Sequence, residues 1–190
     1  IAHRGWHTKG NNAAHNSRQS IRNAMEAGFY GCEIDVHQTT DGYLMINHDF
    51  SIGGVVINQS TYDQVKNKTI GNGEVIPQLS DLFDIMKNEY PDSPTKLVIE
   101  LKTNQNTDTL RLANSVVQAV KDAGLQDRVE YISFGLTAGV YIRRADPTAV
   151  FSYLTTVDPS VLVANDLQGA DFGYTAFTGN PSLVERCDNL

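Results

Sequence analysis

The sequence predicts an α/β protein built as a (β/α)8 barrel. Two observations carry this. Apolar strand-like runs alternate with amphipathic helical stretches along the chain, the rhythm of a parallel sheet wrapped in helices. Successive strands also finish on charged or imidazole side chains: His3 and Arg4 in residues 1–5, Glu33 and Asp35 in 30–36, His48 in 43–49, and Glu100 and Lys102 in 96–102. Polar groups collected at the C-terminal ends of parallel strands are how the working face of such a barrel reads in sequence. At 190 residues and 41% hydrophobic content, the chain has enough apolar mass for one domain with a sizeable core.

The elements are expected in the following order. A first strand covers 1–4, and a loop follows with Trp6, His7, Gly10 and Asn11. A helix opens at Asn16 or Ser17, carries Ile21, Ala24 and Met25 inward, and stops at Gly28. A strand over 30–38 turns at Asp41-Gly42 into another over 43–48. Residues 50–76 are rich in Gly, Asn and polar side chains and read as a small insertion near the barrel mouth, with a short helical stretch at 62–66. Ser80 caps a helix with Leu82, Phe83, Ile85 and Met86, and a strand covers 96–102. Asp108 opens an amphipathic helix carrying Leu112, Val116, Val117 and Val120, which Gly124 ends. Strands over 129–134, 149–154 and 171–177 follow, with helices at 140–144, after Asp158 and from Asn180-Pro181. That makes seven strands against the eight of a full barrel. The eighth would begin at Leu190, so it is expected to be missing from this chain.

Glu33 and Asp35 lie two residues apart in an apolar strand, so both point to one face, about 6.6 Å apart along it. Two acids on one strand face are costly to desolvate unless positive charge sits between them. A divalent cation held by oxygen ligands supplies that, with Glu100 as a third ligand; such a set suits Mg2+ or Ca2+ better than zinc. A metal-free ion network with Arg4 and Lys102 is the other reading. The net charge of −7 argues against nucleic acid as a partner. No apolar run approaches the roughly 20 residues of a membrane span. Cys32 and Cys187 read as separate thiols, with no zinc-like spacing. The Asn-rich, Lys-poor composition leans to an exported protein.

Six motifs occur in a fixed order: His3-Arg4-Gly5, Asn16-Ser17, Glu33-Ile34-Asp35-Val36, Thr40-Asp41-Gly42, His48-Asp49 and Glu100-Leu101-Lys102. In that order they resemble the glycerophosphodiester phosphodiesterase family, a group of TIM barrels. The resemblance implies metal-dependent hydrolysis of a small-molecule glycerophosphodiester to an alcohol and glycerol 3-phosphate. It implies His3 and His48 as general acid and base, since a phosphodiester displacement needs one group to activate the nucleophile and one to protonate the leaving oxygen. Arg4 and Lys102 would bind the phosphate, and Glu33, Asp35 and Glu100 the metal. Asn16, Trp6, Phe134 and Tyr153 are candidates for positioning substrate or loops, with N-capping, loop packing and core packing as their structural readings; Phe177 is weighed the same way. His7, His15 and His37 read as ordinary surface or core histidines. His15 stands where the family commonly has Glu. Two rival functions stay open: a related lyase that releases a cyclic phosphate, and a non-catalytic binding barrel.

Overall fold

The computed structural model describes residues 1–8 and 10–188. A parallel sheet forms its centre. β1 (Gly31–Gln38) pairs in parallel with β5 (Lys96–Leu101), β5 with β6 (Val129–Ser133), β6 with β7 (Phe151–Tyr153), and β7 with β8 (Gly169–Ala170). Before β1, Ala2 makes a parallel bridge to Cys32, held by Ala2 N–H donating to the Gly31 carbonyl at 2.8 Å and Glu33 N–H donating to the Ala2 carbonyl at 2.9 Å. The first strand expected over 1–4 is thus a single bridged residue. α1 (Arg18–Glu26), α3 (Leu79–Asp84), α4 (Thr109–Ala123) and α5 (Leu136–Ala145) bury their apolar stripes against this sheet. β1 is buried along its whole length, as a parallel strand covered on both faces must be.

The segment over 43–48 is not a barrel strand. β2 (Leu44–Ile46) runs antiparallel to β1, with Val36 opposite Ile46 and Gln38 opposite Leu44. The reason is reach: a tight turn joins antiparallel strands, whereas a parallel crossover takes about a dozen residues or more. Thr39 Oγ1 donates to Asp41 at 2.7 Å and Gly42 takes φ +103°, closing that turn.

The segment over 171–177 is also corrected. Its strand is β8, two residues earlier, and Gly173 caps α7 (Tyr174–Gly179). Phe172 and Phe177 stack on each other at 5.9 Å rather than alternating across a sheet. Aromatic residues favour strands only where a pleated surface is there to take them. α6 (Pro159–Ala164) and α8 (Ser182–Cys187) complete the described helices of the C-terminal region. The expected start of an eighth strand at Leu190 lies outside the described residues. The cap before Leu79 is Gln78, not Ser80, while Ser17, Asp108 and Asp158 cap α1, α4 and α6 through their side chains.

Residues after β2 fold over the barrel. β3 (Ser51–Ile52) and β4 (Val55–Val56) make a hairpin, and a short α2 (Tyr62–Val65) follows. Met45, Ile52, Ile57, Val65 and Ile76 form an apolar cluster of their own. Arg18 ties this segment to the barrel helices: it pairs with Asp81 on α3, and its backbone N–H donates to Glu74 at 3.0 Å.

Glycine is required where α5 meets β7. A Cβ on Gly139 would overlap the Phe151 ring, and Phe151 is fully buried. Gly139→Ala is expected to lower stability by about 1–3 kcal/mol through overpacking, despite the better helix propensity of Ala. Denaturant unfolding measures it; an unchanged midpoint would contradict the close approach.

Candidate active site

Three carboxylates are brought to one height by strand register. Asp35 on β1 is level with Glu100 on β5, and Glu33 faces the same side of β1 two residues earlier. One ligand oxygen from each of Glu33, Asp35 and Glu100 lies within 4.8 Å of the others, and all three residues are buried. Lys102, just past β5, places Nζ 2.9 Å from Glu100 and 3.2 Å from Asp35 Oδ1. Arg4 approaches from the Ala2 side, with Nε 4.0 Å from Asp35 and its backbone N–H donating to Glu33 at 2.7 Å.

The turn after Ala2 makes this approach possible. Arg4 and Gly5 both take positive φ, 57° and 79°. A Cβ on Gly5 would overlap the Ser20 hydroxyl, so glycine is needed to bring this turn against α1.

β2 does the equivalent for His48. The hairpin carries the chain past the carboxylates and back, and Asn47 N–H donates to the Asp35 carbonyl at 3.0 Å. His48 therefore returns beside the acids, with Nδ1 2.7 Å from Asp49. His3 stands on the opposite strand end, Nε2 3.9 Å from Glu33. One pocket of about 470 Å3 is lined by His3, Arg4, Glu33, His48, Glu100 and Lys102. Both histidines, Arg4, Lys102, Glu33 and Glu100 thus meet in one mouth, with Asp35 buried behind them.

The electrostatics of the mouth are unbalanced. Burial, with the neighbouring Asp35 carboxylate adding to it, pushes Glu33 up to about 8, against the opposing pull of the Arg4 N–H. Burial also raises Glu100, although its bond to Lys102 opposes the shift. Burial pulls Lys102 down, but its bonds to Glu100 and the charge of Asp35 outweigh this and leave it raised. Glu33 Oε1 is buried with no hydrogen-bond partner among the described residues, and Asp35 Oδ1 faces Lys102 without the alignment of a hydrogen bond. Orphaned buried carboxylate oxygens converging within 4.8 Å fit a hard divalent cation, which accepts only oxygen ligands of this kind.

Asn16 is bonded to Asp35 in both directions. Its Nδ2 donates to Asp35 Oδ2 at 2.8 Å, and Asp35 N–H donates to its Oδ1 at 3.2 Å. It orients the acid and is not the helix cap, which is Ser17. Asn16→Ala is expected to cost about 1–3 kcal/mol, because Asp35 loses both bonds in a buried site. Cation affinity should fall about 10–100-fold, as when a group supporting a ligand is removed. Thermal melts and calorimetric titration read the two effects.

The other candidates part company. Phe134 lines the mouth and is 60% exposed. Tyr153 does not reach it: the side chain is buried in the main core, because the mouth-facing position after β7 is Leu154. Phe177 packs on Phe172 from α7. Trp6 packs edge-on against Phe29 at 5.6 Å, a loop contact away from the mouth. His7 and His15 pack together at 3.7 Å, and His15 Nδ1 lies 3.5 Å from Arg4. His37, on the same face of β1 as Glu33 and Asp35, is buried edge-on to Phe50, and burial and the nearby Lys102 drop it to about 4. Asp171 and Asn47 stand at the site although sequence reasoning did not single them out. Asn47 was visible as the residue before His48; Asp171 was hidden by the misplaced strand boundary.

Comparison with known proteins agrees with this geometry. Residues 3–189 match the family model of the Glycerophosphoryl diester phosphodiesterase family. The chain belongs to that family. A structure of a glycerophosphodiester phosphodiesterase from Parabacteroides distasonis is 34% identical, with a TM-score of 0.92 over 99% of this chain and 78% of that one. A phosphodiesterase from Oleispira antarctica, solved in complex with the product sn-glycerol-3-phosphate, shares the barrel fold at 23% identity and TM-score 0.83, covering 99% of this chain and 79% of that one. The glycerophosphodiester phosphodiesterase of Caldanaerobacter subterraneus subsp. tengcongensis is 28% identical over 146 residues, 70% of this chain. That match spans 57% of the curated relative's length. These phosphodiesterase structures are TIM barrels, and the parallel sheet of this chain is built in the same way.

Proposed function

We propose that this chain hydrolyses glycerophosphodiesters to an alcohol and glycerol 3-phosphate, with His3 and His48 as general base and acid. One observation carries the reading: both histidines, Arg4, Lys102 and two of the three carboxylates line a single pocket. Family membership supports it, and the glycerol 3-phosphate bound by the Oleispira antarctica fold relative is the product it expects.

Lys102 and Arg4 hold the phosphate and balance charge on its non-bridging oxygens. His3 takes the proton of the neighbouring glycerol hydroxyl, whose oxygen then bonds to phosphorus. The P–O bond to the alcohol breaks, and His48 gives its proton to the departing oxygen. The cyclic phosphate left behind is opened by water with the two roles exchanged. Burial and the charge of Arg4 lower the His3 pKa, which favours the neutral imidazole that a base requires. Asp49 on Nδ1 leaves Nε2 of His48 to face the pocket. Glu33, Asp35 and Glu100 are the residues that would hold a divalent cation, Mg2+ or Ca2+, and when bound it would supply further stabilisation of developing negative charge.

The test is phosphorus NMR of glycerophosphoethanolamine hydrolysis, with EDTA and with Mg2+ or Ca2+ restored. Glycerol 3-phosphate formed only with cation supports the reading. A cyclic phosphate that persists moves the reaction to a lyase, and no turnover by a folded, cation-binding protein leaves a binding barrel.

A further inference from the structure

The mouth has a side chamber. A second lobe of about 570 Å3 opens between the loop at 13–16, the residues just after β2 at 47–49, and the overlying segment at 51–53 and 69–71. Arg4 and His48 line both this lobe and the mouth; His3, Glu33, Glu100 and Lys102 line the mouth alone. A phosphodiester carries two ester arms. On the reading above, Lys102 and His3 keep the phosphate and the arm bearing the attacking hydroxyl in the mouth. The departing oxygen then meets His48, and its alcohol extends past that residue into the side lobe.

The chemistry of the lobe is specific in what it lacks. Among the described residues no Trp, Tyr or Phe face lines it; its rings are the imidazoles of His15 and His48. Its acid, Asp49, is engaged by His48. Quaternary ammonium groups are held by aromatic faces, so a choline arm would find no partner there. Beside Arg4 and the two histidines the lobe offers neutral polar groups: Asn47 Oδ1, Ser51 Oγ and Thr69 Oγ1 bond no other protein atom among the described residues. Asn47 is held in place by Nδ2 donating to the Asp49 carbonyl at 2.7 Å, which leaves Oδ1 available. Ala14, Gly53 and Gly71 keep the walls thin. We infer that the side lobe binds the departing alcohol and selects a neutral polyol over choline. This rests on the phosphodiesterase reading and names the substrate class within it.

Gly71 gives a clean probe. Its φ is not in the left-handed region, and a Cβ there would meet only Ala14 Cβ at 3.6 Å, so a larger side chain grows into the lobe. Ala14→Val narrows the same side of the lobe from the neighbouring residue should Gly71→Leu fold poorly. The experiment is kcat/KM with saturating Mg2+ or Ca2+ on glycerophosphoglycerol, glycerophosphocholine and the methyl ester of glycerol 3-phosphate. The unsubstituted protein should favour glycerophosphoglycerol over glycerophosphocholine by about tenfold or more, the scale on which a polar pocket separates a hydroxylated group from one that cannot bond it. Either filling variant should lower the glycerophosphoglycerol-to-methyl-ester ratio by a similar factor. Equal loss on all three esters would overturn the inference by placing glycerol itself in the lobe, and so would a preference for choline. If the unsubstituted protein cleaves none of the three, the phosphodiesterase reading fails and this one with it; cleavage of the methyl ester without a polyol preference sinks this inference alone.

Discussion

Replacing His3 or His48 by Ala should lower kcat/KM about 10²–10⁴-fold each, the range for loss of a general acid or base. The double variant should be little worse than either single one, because the two act in one concerted transfer. The fold should survive: the His3 side chain is 70% exposed and that of His48 39% exposed, so neither removes core packing. The pair can also be told apart. An ester with a very acidic leaving alcohol needs no protonation, so it should restore much of the rate of alcohol release in His48→Ala and little of it in His3→Ala. Rescue of both variants equally, or of neither, would contradict the assignment of base and acid.

Divalent cation should raise the melting temperature, and the gain at a fixed cation concentration should grow from pH 6 to pH 8. The sign follows from Glu33. Its carboxyl sits at about 8 in the fold and near 4.5 in the unfolded chain, so in this range the native state holds the extra proton. Cation-free stability from this group is fully present below about 4.5 and falls as pH rises through about 8. A cation needs the ionised carboxylate and competes with that proton, so binding below pH 8 should release about one proton and binding above it almost none. Isothermal calorimetry in buffers of different ionisation enthalpy counts the protons. Glu33→Gln should remove the cation response while keeping the melting temperature without cation at pH 6 and raising it above pH 8, where an uncompensated buried charge goes with it. A gain that is independent of pH, or that survives in Glu33→Gln, would place the cation elsewhere.

The charged cluster was legible in the sequence because its members sit in short local motifs. Glu33 and Asp35 share a face by strand periodicity alone, and Glu100 and Lys102 do the same. Parallel alternation was legible from helix stripes and caps such as Asp108 and Gly124. What was not legible was which apolar run joined which. The run at 43–48 reads as a strand and is one, but its five-residue connection makes it a hairpin partner of β1. That pairing, not a barrel position, is what returns His48 to the carboxylates. The run at 171–177 misled because aromatic content signals burial, and burial in a helix looks the same in a short window.

Residue identity by itself determined the donor set: two imidazoles, an arginine, a lysine and three carboxylates at strand ends. Only the tertiary structure decided that Asp35 and Glu100 are level, that Asn16 grips Asp35 from both sides, and that Glu33 is left with an orphaned oxygen. It alone opened the side lobe, whose walls come from segments nearly sixty residues apart, such as Ala14 and Gly71. Periodicity is a local property of the chain, set by how each backbone orients its own side chains. Register, burial and cavity shape depend on where distant segments meet, and no local pattern encodes that distance.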